Sequence, residues 1–238
     1  MQIYRSLSDL PAAAPTVLTI GNFDGVHRGH QMVIASVIER ARALNARSAI
    51  VTFDPHPAHV LHSGPKLPLI TPLPDKLALL AQTGLDLALV LPFDETLRHL
   101  SARDFATQVL QQSLHATEIH EGENFRFGHD AQAGINDLTA LGADLNFSVQ
   151  AFNPVILRGA PVSSSRIRKL LAAGDVSHAR ALLGRPFSIH STPAPGRGYG
   201  TRYAVPTINL APYPALLPAN GVYITTLKIV TGPDAKLF

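Results

Sequence analysis

The chain contains no cysteine, which excludes a disulfide framework and a thiolate metal site. It leaves the redox compartment open, because such an absence is compatible with either setting. No apolar run approaches the ~20 residues that a membrane-spanning helix requires. Residues 1–15 carry Asp9 and two prolines without a sustained apolar core, so they do not read as a secretory signal. Long Lys/Arg runs are missing as well. The chain has 20 basic and 17 acidic residues and a net charge of +3, spread out and without interleaved aromatics. That pattern is a solvated surface with a mild attraction for anionic nucleotides, not a nucleic-acid footprint. The expectation is a cytoplasmic protein acting on small molecules, with neither membrane nor nucleic acid as a partner; oligomeric state is not legible.

What is present is a chain of 238 residues, 46% hydrophobic and 16% charged, ample for a core and long enough for one or two domains. Its most informative stretch runs from Gly21 to His30. Val17 to Ile20 reads as a buried strand, and Val33, Ile34, Val37, Ile38, Ala41 and Leu44 recur at helical spacing, so the glycine-rich junction opens a helix. Free backbone N–H groups and the positive end of the helix dipole make that place suited to phosphate. His27 and His30, at i and i+3, share the first turn, and Gly29 removes a side chain where a phosphate would approach. Zinc is a poorer reading of the pair, since no cysteine or adjacent acid completes a ligand set. A capped helix with a surface histidine is the plain alternative.

Apolar strand-like stretches at Val17 to Ile20, Ser48 to Phe53, Leu85 to Leu91, Ala116 to His120 and Leu145 to Phe152 alternate with helix-like intervals. The latter include Asp75 to Gln82, stopped at Gly84, and Ser101 to Leu114, started by Ser101 with Asp104. The fold class is α/β, a parallel sheet with helices on its faces, whose ligands bind beyond the carboxyl ends of the strands. Further on, Ser163-Ser164-Ser165-Arg166-Ile167-Arg168 opens another helix. Ser164 and Ser165 suit capping together with phosphate binding, and Arg168 suits a clamp on the β- and γ-phosphates; an ordinary serine cap with a solvated arginine is the other reading. After Gly184 helical periodicity gives way to prolines and glycines, and Gly221 to Leu227 reads as a β-strand, so a second, β-rich module is expected.

The string Gly-Asn-Phe-Asp-Gly-Val-His-Arg-Gly-His resembles the signature of the nucleotidylyltransferase superfamily. In this full form it is similar to the first module of the bacterial bifunctional riboflavin kinase/FMN adenylyltransferase family, the prokaryotic FAD synthetases. Val51 to Pro57, Gly122 to Gly128, Ser163 to Arg168 and Leu182 to Pro186 resemble later family segments in order, with Ser165 where the family commonly has threonine. Gly200 to Asn209 resembles the family's Gly-x-Pro-Thr-x-Asn loop, here lengthened. The resemblance implies a Rossmann-like FMN adenylyltransferase domain over 1–183 and the first part of a β-barrel riboflavin kinase domain over 184–238.

The implied chemistry is FMN plus ATP giving FAD and pyrophosphate, with Mg2+, and riboflavin phosphorylation by ATP in the second module. The resemblance gives catalytic roles to His27, His30, Ser164 and Arg168, and nucleotide contacts to Gly21, Asn22, Phe23, Asp24, Gly29 and Ser165. Asn124, Phe125 and Phe127 would face the flavin. Thr207 and Asn209 would bind ATP phosphate and magnesium in the kinase half, whose glycine run is not a Walker loop. The family's kinase base falls further along than this chain reaches, so the kinase half is expected to be incomplete and inactive. Two alternatives remain open: a nucleotidylyltransferase with another phosphate acceptor, and a flavin-binding regulatory protein.

Overall fold

A computed structural model describes residues 1–196 and 208–230. Its centre is a six-stranded, wholly parallel sheet: β1 (Gln2–Tyr4), β2 (Thr16–Ile20), β3 (Arg47–Asp54), β4 (Leu87–Pro92), β5 (Ala116–Gly122) and β6 (Ser148–Phe152). The spatial order is β1-β4-β3-β2-β5-β6. From β2 the chain winds one way through β3 and β4, then crosses back to lay β5 on the other side. The order therefore reverses between β2 and β5, which in open α/β sheets is where a crevice forms beyond the strand ends.

The strands bury both faces. Leu18, Val51, Leu89 and Ile119 point into one core, against Phe105, Val109, Leu110, Leu138 and Leu141. Val17, Ile50, Ala88 and Val90 point into the other, against helix α1 (Arg28–Ala43) through Ile34, Val37 and Ala41, and helix α2 (Leu73–Ala81) through Leu77 and Leu80. Period two in the strands and 3.6 in the helices produce this alternation. A third cluster joins Ile70 and Val162 to helix α3 (Ser164–Ala172) and helix α4 (Val176–Leu183).

The structure departs from the sequence reading in several places. Residues 2–4 form an unexpected edge strand, paired with β4 from Gln2↔Leu87 to Tyr4↔Leu89. The interval 101–114 starts as expected, with Ser101 accepting from the Asp104 N–H, but only Ala102–Phe105 is α-helical; Ala106–Ser113 is a π-helix. β6 starts at Ser148 because the preceding helix runs to Leu145 and closes on Asn146 in the left-handed region.

The expected strand at Gly221 to Leu227 does not form among the described residues, and Val222 and Ile224 are fully exposed. A strand requires a neighbour for its N–H and C=O groups, and this one has none there. After Gly184 the described residues hold one antiparallel pair, Pro193–Ala194 with Asn209–Leu210. Among the described residues, no helix is long and apolar enough to cross a membrane.

Candidate active site

A cleft of about 310 Å³ lies beyond the carboxyl ends of β2, β5 and β6, lined among others by Gly21, His27, His30, Glu121, Asn124 and Phe125. It sits at the reversal of strand order. One wall is the turn from β2 into α1. That turn is tight enough to force Phe23 (φ 47°), Gly25 (φ 85°) and Val26 (φ 40°) to positive φ. The conformation is unfavourable for a β-branched residue and persists only where surrounding contacts over-determine it.

Those contacts converge on Asp24. Its carboxylate accepts the backbone N–H groups of Ile70 and Thr71, both at 3.0 Å, and pairs with the Arg168 guanidinium. Its carbonyl accepts from the Ser164 hydroxyl at 2.8 Å. Asp24 thus ties the turn to α3, whose first turn carries Ser164 and the exposed Ser165. Two expectations change here. The cap of α3 is Ser163, which accepts from the Arg166 N–H at 3.2 Å, because the helix begins one residue earlier than a cap at Ser164 would require. Arg168 is neither solvated nor free: its Nε donates to the Pro68 carbonyl at 3.0 Å, and phosphate contact is left to its remaining donors.

His27 is the cap of α1. Its Nδ1 accepts from the His30 N–H at 3.3 Å, so a neutral His27 carries its proton on Nε2. The two rings stack at 3.6 Å and 15°, and Phe23 meets His30 edge-on at 5.0 Å. Burial pushes His27 down to about 4, and burial with the neighbouring His27 pushes His30 well below 6.5. Both rings are neutral donors at physiological pH. The Nδ1 of His30 is buried without a partner. A side chain at Gly29 would put its Cβ 3.2 Å from the His27 ring, so glycine here first gives room to the stack.

At the opposite wall, Asn124 and Phe125 face the cleft. Phe127 does not. It lies in the core and stacks on Phe125 at 5.4 Å, so its part is to support the aromatic wall, a correction to its expected flavin contact.

Two family models match this chain: FAD synthetase over residues 10–166 and riboflavin kinase over residues 183–236. The chain belongs to the bifunctional riboflavin kinase/FMN adenylyltransferase family. A member from Pseudomonas fluorescens is 37% identical over 238 residues, covering 96% of this chain and 74% of that one. One from Escherichia coli (strain K12) is 31% identical over 225 residues, covering 94% and 72%. A crystal structure described as a macrolide-efflux protein from Streptococcus pneumoniae shares the fold with a TM-score of 0.87 at 25% identity, covering 100% of this chain and 76% of that chain.

Within this family frame the structure adds two residues that the sequence reading missed. Lys76, on α2, is buried and donates from Nζ to the Asn22 carbonyl at 3.1 Å and to the Thr52 hydroxyl at 3.0 Å. Burial pushes it down to about 8, against the opposing pull of Asp24 and Asp54. Its sequence signal was a lysine inside the apolar stripe Leu73, Leu77, Leu80. Glu121, at the end of β5, is buried at the cleft; an acid closing an otherwise buried strand was its signal. Asn22, at the head of the turn, keeps its own Oδ1 buried and unpartnered. Asn209 sits exposed in the small antiparallel pair and does not line the cleft. Thr207 lies outside the described residues.

Proposed function

We propose that this chain transfers the adenylyl group of ATP to the phosphate of FMN, giving FAD and pyrophosphate, as a cytoplasmic enzyme of small-molecule metabolism. The supporting observation is the stacked, neutral His27/His30 pair at the N-terminus of α1, facing a cleft whose far wall is Asn124 and Phe125. An oxygen of the FMN phosphate attacks the α-phosphorus of ATP, a P–O bond forms, and the bond to the β-phosphate oxygen breaks with its electron pair on departing pyrophosphate. The attacking phosphate is already ionised near pH 7, so the demand is positioning and charge stabilisation.

His27, through Nε2–H, and His30 donate to phosphate oxygens as charge moves onto the reacting centre, and the helix dipole adds about 0.3–1 kcal/mol, more when enclosed. Arg168 and the first turn of α3, with Ser164 and Ser165, hold the departing phosphates. Gly21, Asn22, Phe23, Asp24 and Gly29 shape the turn around the nucleotide. Phe125 offers an aromatic face and Asn124 a hydrogen bond to the flavin ring.

Mg2+ supplies further charge neutralisation when bound. Such an ion would be held mostly through substrate oxygens and water. We assign adenylyl transfer to residues 1–183 and assign to 184–238 the module that phosphorylates riboflavin in the family, where Thr207 and Asn209 would contact ATP phosphate and magnesium.

The test is incubation with FMN, ATP and Mg2+, and separately with riboflavin, ATP and Mg2+, followed by chromatography of FAD, FMN and pyrophosphate. FAD with equimolar pyrophosphate is the expected product from FMN. A folded, ATP-binding sample that forms none overturns the reading. FMN from the riboflavin incubation reads the second module.

A further inference from the structure

Among the described residues Glu121 is the one buried carboxyl group that lines the cleft, and the turn chemistry above does not use it. The backbone pairing of β2 with β5 runs from Thr16↔Ala116 to Leu18↔Ile119. Past that point the N–H of Ile20 is taken by the Glu121 side chain, whose Oε1 also accepts from the Thr19 hydroxyl at 3.2 Å. The carboxyl group therefore bridges the two strands where their order reverses. Both donors to it are neutral, and burial raises its hold on a proton well above the ordinary carboxylate range. With no cation to offset the loss of water, burial favours the acid form over the carboxylate.

The acceptor capacity of Oε1 is used by the backbone. Oε2 has no partner among the described residues, and Glu121 lines the cleft. What remains to the group is a single O–H donor. A ligand that covers this donor must bring an acceptor, since a donor shut off from water without one is costly. An isoalloxazine ring presents the C2 and C4 carbonyl oxygens and the N1 and N5 nitrogens as acceptors around its single N3–H donor, so a lone donor finds several matches on that edge. Glu121 also belongs to the segment that carries Asn124 and Phe125 along the same wall.

We propose that Glu121 donates a hydrogen bond from its carboxyl O–H to an acceptor atom of the flavin ring and so determines the preference of the cleft for that ring. The inference rests on the adenylyl-transfer reading. It makes Glu121 a ligand-contacting residue that acts on flavin affinity and leaves ATP binding alone.

The test compares wild type, Glu121→Leu and Glu121→Gln in full FAD synthesis, with KM for FMN and for ATP measured separately. Leucine is expected to raise KM for FMN by about tenfold or more, with KM for ATP within about threefold, and glutamine, an amide donor, to restore most of the loss. An FMN value within about threefold of wild type in the leucine variant overturns the inference, as does an equal rise for ATP, or glutamine no better than leucine.

If the leucine variant does not fold, wild type and Glu121→Gln decide through FMN binding near pH 7 and near pH 10. Wild type alone loses its donor and gains a repelling charge on ionisation, so the ratio of its Kd to that of the variant must rise with pH; a constant ratio overturns the inference. The other titratable groups lining the cleft, His27 and His30 on α1 and Glu123 after β5, are common to both proteins and cancel. Wild type that forms no FAD defeats the reading itself, whereas wild type that does, beside indifferent variants, defeats only the role of Glu121.

Discussion

Arg168 binds the carboxylate of Asp24 across 144 positions of sequence, and both side chains are largely withdrawn from water. Because Asp24 also accepts two backbone N–H groups, it fastens the β2–α1 turn to the segment at Ile70 and to α3 at once. Removing one member of such a pair leaves an uncompensated buried charge. Asp24→Ala should therefore destabilise the fold by about 3–5 kcal/mol, read as a shift in the urea midpoint. A loss below about 1 kcal/mol means that the pair behaves as a surface contact.

His30→Ala should act on turnover and not on affinity, because a donor that follows developing charge contributes most in the transition state. We expect kcat to fall by about 10²–10³-fold with KM for ATP within about threefold. Near-normal kcat would remove the charge-stabilising role given to the ring.

Lys76→Met tests the buried cation behind the turn. The substitution relieves a desolvated charge yet leaves the Asn22 carbonyl without its 3.1 Å donor, so the two stability effects oppose each other. The expected signature is a fall in kcat/KM for ATP of about tenfold or more, with the thermal midpoint moving by only about 4 °C or less. Unchanged kcat/KM would make Lys76 a packing residue.

Acid should weaken the fold through its buried imidazoles. His27 and His56 are each held down at about 4 by burial against an ordinary 6.5, so between those values the unfolded chain binds more protons than the folded one. Their contribution is complete above about pH 6.5 and is lost as pH falls toward 4. Glu121 works in the opposite sense, because it holds its proton more tightly when folded. The comparison is therefore made within one pair: urea midpoints of wild type and His27→Asn from about pH 7.5 to 4.5. The variant should lose less across this window, and equal slopes would show that His27 takes no part.

The sequence was readable where a local rule and the tertiary outcome agree. Ser101 and Asp104 signalled their own helix start, and the spacing of His27 and His30 placed their rings together because neighbouring helical positions must meet. Legibility failed where the outcome depends on a distant partner. Gln2–Tyr4 is too short to declare itself and becomes a strand only because β4 offers an edge. Gly221 to Leu227 has strand composition and finds no neighbour among the described residues. Arg168 resembled a free clamp because its partner is 144 positions away. Ser163 and Ser164 differ by one residue, a distinction that composition cannot make. Lys76 inside its apolar stripe and Glu121 closing a buried strand carried only a faint local signal, since the surroundings that bury them are assembled from other elements.

The edge strand β1 fixes one more property of the molecule. In an all-parallel sheet every strand enters from the same side, and the cleft opens on the other, so Met1 emerges at the end of the sheet away from the ligand. It also lies three strands to the side, about 14 Å from β2 at ordinary interstrand spacing. Surface immobilisation, a fluorophore or a fusion partner attached ahead of Met1 therefore leaves the mouth of the cleft unobstructed. Signals from such a label report on fraying of the sheet margin and not on ligand entry.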